Sequence, residues 1–275
     1  MKVAFLACGV LRLELEKALQ QICFAPPCLQ AGLYVDFDRL KAAVKVLQQR
    51  KTENLFTCEI ETTYLQAGLH VDFDRLKAAV IDALKNTEAD RIILLYGSKC
   101  HPEFHKLLDG TDIITFKQAN CIELILGDRM QEIDRLFRTF YLTPGWMLCW
   151  REIFEQGLHW DEVDMRQSFG FFDQILLLDT DVGEITGEQV LEFFERTRVP
   201  IKVEKVGLAG FKGNIIAAME RVLATGSGAN CLENVPPFSS ASGVAPASGH
   251  PGGMGFCPLI EIARHFRCKL PSDSD

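Results

Sequence analysis

Four short apolar runs of strand length, each closed by small or polar residues, constrain this chain most: Val3–Ala7, Phe56–Tyr64, Ile92–Tyr96 and Ile175–Leu178. Helical spacing of apolar residues follows them over Leu11–Gln21, Asp72–Lys85, Cys121–Phe140 and Glu188–Arg198. Strands that alternate with helices imply parallel sheets joined by right-handed crossovers. The expected fold class is therefore α/β, with two Rossmann-like halves and mainly parallel sheets. Residues 1–140 form the first half and residues 141–223 the second, and the Gly-, Ser- and Pro-rich residues 224–275 read as loop or tail. Sheets of this kind bind ligands beyond the carboxyl ends of their strands. That places Cys8 and Gly9, Gly97 to Cys100, and Asp179 to Gly183 along a functional edge.

One stretch is present twice. Leu29–Val44 and Leu65–Val80 agree at all sixteen positions except Tyr34 against His70. Two copies are too few for a solenoid, so the pattern reads as a local duplication. The second copy follows a credible strand and leads through an Asp72-capped helix to the next, a normal βαβ unit. The first follows Pro26-Pro27 and leads only to polar residues, so residues 24–55 are expected to be an inserted extra helix.

Composition removes several classes of partner. A formal charge of −8 with Lys and Arg scattered among acids leaves no basic patch for nucleic acid or an anionic membrane. No apolar run approaches the roughly 20 residues of a spanning helix. Leu6-Ala7-Cys8 imitates a lipidation box, but the apolar stretch before it is too short for a signal core. The expectation is a soluble cytoplasmic protein acting on a small molecule. In such a compartment the ten cysteines stay reduced and serve burial, metal or catalysis. Cys23, Cys58 and Cys149 sit in apolar patterns and read as plain core residues, while Cys257 and Cys268 have no zinc-like spacing.

Three other cysteines stand where chemistry is done. Cys8 follows the first strand, Cys100 closes the Gly97-Ser98-Lys99 turn after another, and Cys121 opens a helix. Three thiolates could hold a catalytic zinc, or an iron–sulfur cluster with one iron left open. Their long spacings equally suit three unrelated loop cysteines. His101 and His105 lie one helical turn apart near Cys100 and could complete a shell, or simply be polar residues at a helix start. Glu14 could hydrogen-bond a metal-bound group or face solvent. Asp179, Asp181 and Gly183 could bind ligand or only close a turn. Tyr141 and Trp146 flank a Pro-Gly turn that could line the cleft between halves or pack as a linker. No Gly-x-Gly-x-x-Gly, Walker or serine-nucleophile motif is present.

Taken together, Ala7-Cys8-Gly9-Val10-Leu11 with Glu14, LQAGLH at Leu65–His70, Tyr96-Gly97 with Cys100, Asn120-Cys121-Ile122-Glu123-Leu124 with Leu126-Gly127, YLTPGW at Tyr141–Trp146 and Leu178–Gly183 resemble domain-of-unknown-function family 1638 (DUF1638). The resemblance spans residues 1–23 and 56 to about 223 in order, and departs at the 24–55 insert, the Gly/Ser-rich end and a longer, less Gly-rich turn before Cys100. It implies a shared site of Cys8, Cys100 and Cys121 and an association with corrinoid-dependent methyl transfer. Two expectations follow. One is a zinc- or iron–sulfur-dependent protein of one-carbon metabolism, a methyltransferase-associated enzyme working with a corrinoid protein. The other is a non-catalytic accessory module that binds a ligand or metal.

Overall fold

The computed structural model describes residues 1–23, 33–36, 57–104, 108 and 111–224. Strand β1 (Lys2–Cys8) is buried along almost its whole length and lies between β3 (Thr57–Leu65) and β4 (Arg91–Leu95). Both pairings are parallel, with Cys8 opposite Leu65 and Ala7 opposite Leu95, so the carboxyl ends of all three strands lie together. Near-continuous apolar runs are what a parallel strand covered on both faces requires. Ile114 adds a parallel bridge to Ile93 beyond β4.

Between the strands run helices α1 (Arg12–Cys23), entered through the 3-10 turn Gly9–Leu11, and α2 (Phe73–Asn86). The side chain of Asp72 caps α2 by accepting from the Arg75 N–H at 3.0 Å, as expected from the sequence. A second 3-10 turn, Ala67–Val71, links β3 to that cap. The expectation of an extra helix over residues 24–55 is corrected for Leu33–Asp36. These form strand β2, antiparallel to β3 at the sheet edge, because an open edge offers unpaired backbone groups to any extended segment nearby. The rest of that insert, residues 225–275, and His105 lie outside the described residues.

The single helix expected over Cys121–Phe140 does not form. Helix α3 (Cys121–Leu126) stops at Gly127, whose φ of +59° suits glycine and ends the turn by donating to Glu123 O. Helix α4 (Arg129–Asp134) follows, and Thr139–Leu142 then becomes strand β5. The second sheet is β5, β6 (Gln174–Asp179) and β7 (Ile201–Lys205) in that order, all parallel. Its helices are α5 (Pro144–Arg151), continued by a π-helical segment Glu152–Gly157, then α6 (Glu162–Phe169), α7 (Gly187–Thr197) and α8 (Ala209–Ala224). The fold is thus α/β with two Rossmann-like halves and mainly parallel sheets. One continuous core joins them, from Phe5 and Leu15 to Trp150, Phe154 and Phe211. No described helix is long and apolar enough to cross a membrane.

Candidate functional site where two sheet edges meet

The carboxyl ends of both sheets approach each other through the loops that leave β1, β3 and β5. Thr143 caps α5 with its hydroxyl, and Pro144 occupies the first turn, where a missing N–H costs nothing. Gly145 then lies so close to the turn after β1 that a Cβ there would stand 2.0 Å from Val10 O. Its N–H points at Glu14 Oε1, 3.4 Å away. Next in the helix, Trp146 sets its ring edge against His70 from the loop after β3, with centroids 5.2 Å apart. The Gly68 N–H donates to Glu152 Oε1 at 3.0 Å and closes the same seam. Gly9 and Gly97 serve similar close approaches: an added Cβ would meet Leu65 O at 2.8 Å and Ala119 O at 2.1 Å.

Inside this seam lies a set of soft donors. The sulfur of Cys8 is 3.3 Å from His70 Nδ1. That nitrogen is also 3.2 Å from Ala67 O; a carbonyl can only accept, so the ring proton belongs on Nδ1. Burial drives the imidazole pKa down to about 4, so His70 is neutral. Burial likewise lifts Cys8 far above the usual thiol range, with Cys100 and Cys149 close enough to add to the effect. Cys100 rises to about 11 for the same first reason. The hydroxyl of Tyr96, at the end of β4, connects the group. Burial first, and then the nearby thiols of Cys8, Cys100 and Cys121, hold this phenol well above the ordinary tyrosine range.

Beside the thiols, Glu14 is fully buried. Desolvation raises its carboxyl pKa, opposed by contacts with Thr143, Gly145 and Thr180. Four buried polar atoms of this region have no hydrogen-bond partner: Glu14 Oε2, Tyr96 Oη, Trp146 Nε1 and Thr180 Oγ1. Native interiors rarely leave such atoms alone, and a cluster of them marks room for a polar ligand or water.

The structure distributes the other sequence candidates differently. His101 turns away from the cysteines: it stacks on Phe104, meets Phe73 edge-on, and accepts from the Glu103 N–H at 3.1 Å. Tyr141 is buried and donates to Asp134 Oδ1 at 2.7 Å. Asp179 accepts from the Asp181 N–H at 3.0 Å, and Asp181 and Gly183 take φ of +60° and +88° in an exposed turn. His70 was not singled out by the sequence reading, and Cys149, expected to be a plain core residue, is only half-buried. For His70 a signal did exist, since it is the one position at which the duplicated stretch differs from its copy.

Among the described residues, no three His, Cys, Asp or Glu side chains are arranged as a ligand set for a metal ion. The donor chemistry at the seam, thiols and an imidazole, is of the kind that suits a thiophilic cation.

These features define an α/β protein whose two parallel sheets bury a thiol- and imidazole-lined seam between their carboxyl ends. Residues 64–215, more than half of the chain, match the family described as protein of unknown function (DUF1638), and the chain belongs to that family. The matched region includes His70, Tyr96, Cys100, Cys121 and Trp146, with Cys8 and Glu14 outside it. No curated protein and no solved structure matches the chain.

Proposed function

We propose that the seam is a metal-dependent site of one-carbon or methyl-transfer metabolism, with Cys8, Cys100 and Cys121 as ligands to zinc or an iron–sulfur cluster. What supports this reading is the burial of Cys8 and Cys100 beyond the strand ends of one sheet, with the Cys8 sulfur 3.3 Å from His70 Nδ1. Loading would require the thiols to give up their protons and turn toward a common point, which is how metal binding drives ordering of a site that is not preformed. Zinc would supply an activated thiol or water, and a cluster an open iron for substrate. The chain's own residues would do the rest. Tyr96 and Trp146 would exclude bulk water, the Ala67 carbonyl would hold the His70 tautomer, and Glu14 would present its buried carboxyl to a bound small molecule. A corrinoid protein as partner rests on the family resemblance alone.

A second reading has its own support. The four unpartnered buried polar atoms also suit a non-catalytic module that binds a small polar ligand. Anaerobic reconstitution with zinc, and separately with iron and sulfide, tests the first reading. Stoichiometric metal in the wild type that is lost in Cys100→Ser supports it. An unloaded wild type, or one loaded equally well without Cys8, Cys100 and Cys121, leaves the binding module.

A further inference from the structure

The second sheet ends in an exposed edge that is complementary to itself. Strand β7 is the last strand of its sheet, and Lys202, Val203 and Lys205 are exposed, Val203 at 62%. The backbone direction of each residue follows from the ladder to β6. The Ile175 N–H donates to Pro200 O and the Val206 N–H to Asp179 O. In a parallel ladder, alternate residues face the neighbouring strand. Lys202 and Glu204 therefore face β6 with their N–H and C=O groups. Ile201, Val203 and Lys205 point theirs outward, where no described strand receives them.

We propose that β7 pairs antiparallel with β7 of a second copy of this chain, centred on Val203, so that two three-stranded sheets become one continuous sheet across a twofold axis. In that register Val203 meets Val203, and Ile201 meets Lys205 of the second copy. All of these are outward-facing residues, so each pair exchanges both its hydrogen bonds. On the opposite face Lys202 stands across from Glu204 of the second copy, twice by symmetry. Opposite charges directly across a ladder stabilise it, and like charges there oppose it. A shift of the register by two residues would set Lys202 against Lys202 of the second copy, or Glu204 against Glu204, so the charges also select the register. The edge carries no proline and no positive-φ residue within Ile201–Lys205. Beside it, Phe137 is 43% exposed under the Lys202 ammonium, 5.2 Å from its ring centre, and adds apolar surface to the same face.

Sedimentation velocity of the full chain over a range of concentrations tests this. The wild type is expected to be a dimer. Lys202→Glu and Glu204→Lys should each weaken dimerisation by about tenfold or more, because each sets like charges opposite each other twice. An equimolar mixture of the two variants should recover a dimer, since every cross-strand pair is then attractive again. Glu204 also pairs with Arg129 in its own chain, so circular dichroism must show that Glu204→Lys remains folded. Should it not fold, Val203→Pro takes its place, removing an outward N–H while leaving the ladder to β6 intact, and it should be monomeric. A monomeric wild type overturns the proposal, as does a dimer indifferent to Lys202→Glu or a mixture that stays monomeric.

Discussion

At the carboxyl end of the first sheet the chain buries thiols, an imidazole and a phenol. At the same end of the second sheet a half-buried Asp179 lies beside exposed Asp181 and Gly183. Both edges are where parallel sheets place ligands, yet their polar atoms are used differently. Asp179 spends its side chain on the Asp181 N–H and its carbonyl on the Val206 and Gly207 N–H groups, so the acids complete a turn. Around Cys8, Tyr96, Trp146 and Glu14 each keep a buried polar atom unpaired, whereas in the turn after β6 only the Thr180 hydroxyl, which faces Glu14, does so. Leaving such an atom unsatisfied costs about 1–3 kcal/mol, a cost that a structural seam has no need to retain. The difference teaches that charge at a strand end is a poor guide to chemistry, whereas unspent hydrogen-bonding capacity in a buried place is a better one.

The strongest way to break the comparison is to separate the edges. Gly145→Ala would put a Cβ 2.0 Å from Val10 O, a backbone atom that cannot rotate aside. The expected loss is on the order of 4 kcal/mol or more, at the upper end of single-substitution effects. Urea unfolding reads it directly; a midpoint within error of the wild type would mean the two edges are not locked as described.

The next effect is on pH. The pKa of His70 is about 4 in the folded, metal-free protein, against about 6.5 for a free imidazole. Above pH 6.5 neither state is protonated and stability does not change through this group. Between about pH 6.5 and 4 the unfolded chain takes up a proton that the folded one refuses, so stability falls as pH falls, by roughly 3 kcal/mol at full extent. Below pH 4 the contribution is constant. His70→Gln should flatten this segment of the stability curve, and an unchanged slope in the variant would show that other groups produce it.

Much of the first edge is legible in the residues. β-branched runs ending at Ala7, Tyr64 and Tyr96 locate three parallel strands to within a residue or two, because a doubly covered strand has to be apolar throughout. Asp72 marks its helix by ordinary capping. The second sheet is harder to read. Strand β5 is hidden at the end of an apparently continuous helix, where Gly127 alone records the break. Strand β7, Ile-Lys-Val-Glu-Lys, is an open edge and so needs few apolar residues. Partner choice within the site is less legible still. His101, next to Cys100 in sequence, is held by Phe73 and Phe104, while His70 reaches Cys8 from 62 residues away. Which histidine meets the thiols depends on how β3 and α5 pack, and no local pattern encodes that. The duplication makes the point again: Leu33–Asp36 is a strand, whereas the matching Leu69–Asp72 is a 3-10 turn and a cap. Tertiary surroundings decide between them.

Thiol reactivity sharpens the contrast within the seam itself. Cys8 and Cys100 are buried, with their thiols held well above the ordinary range, whereas Cys121 and Cys149 are only half-buried. Only the thiolate alkylates, so a thiol with a pKa near 11 is expected to react about a hundredfold more slowly than a free one at neutral pH. Native-state iodoacetamide labelling read by peptide mass should modify Cys121 before Cys8 or Cys100. Equal rates for all three would mean that the seam opens faster than the reagent acts.

The smallest effect is expected at Gly183, and it is informative because the same substitution is made as at Gly145. Here φ is +88° and nothing stands within 4 Å of the position a Cβ would take. The cost of Gly183→Ala is then only the strain of an L-residue in that conformation, about 1 kcal/mol, partly offset by the reduced freedom of the unfolded chain. Ligand or metal binding at the seam should be unchanged by it, because the turn is closed by Asp179 and Asp181 and no donor of the seam comes from residue 183. A Gly183→Ala variant that stays folded yet loses binding would move the functional edge to the second sheet and reverse the assignment argued from the buried thiols.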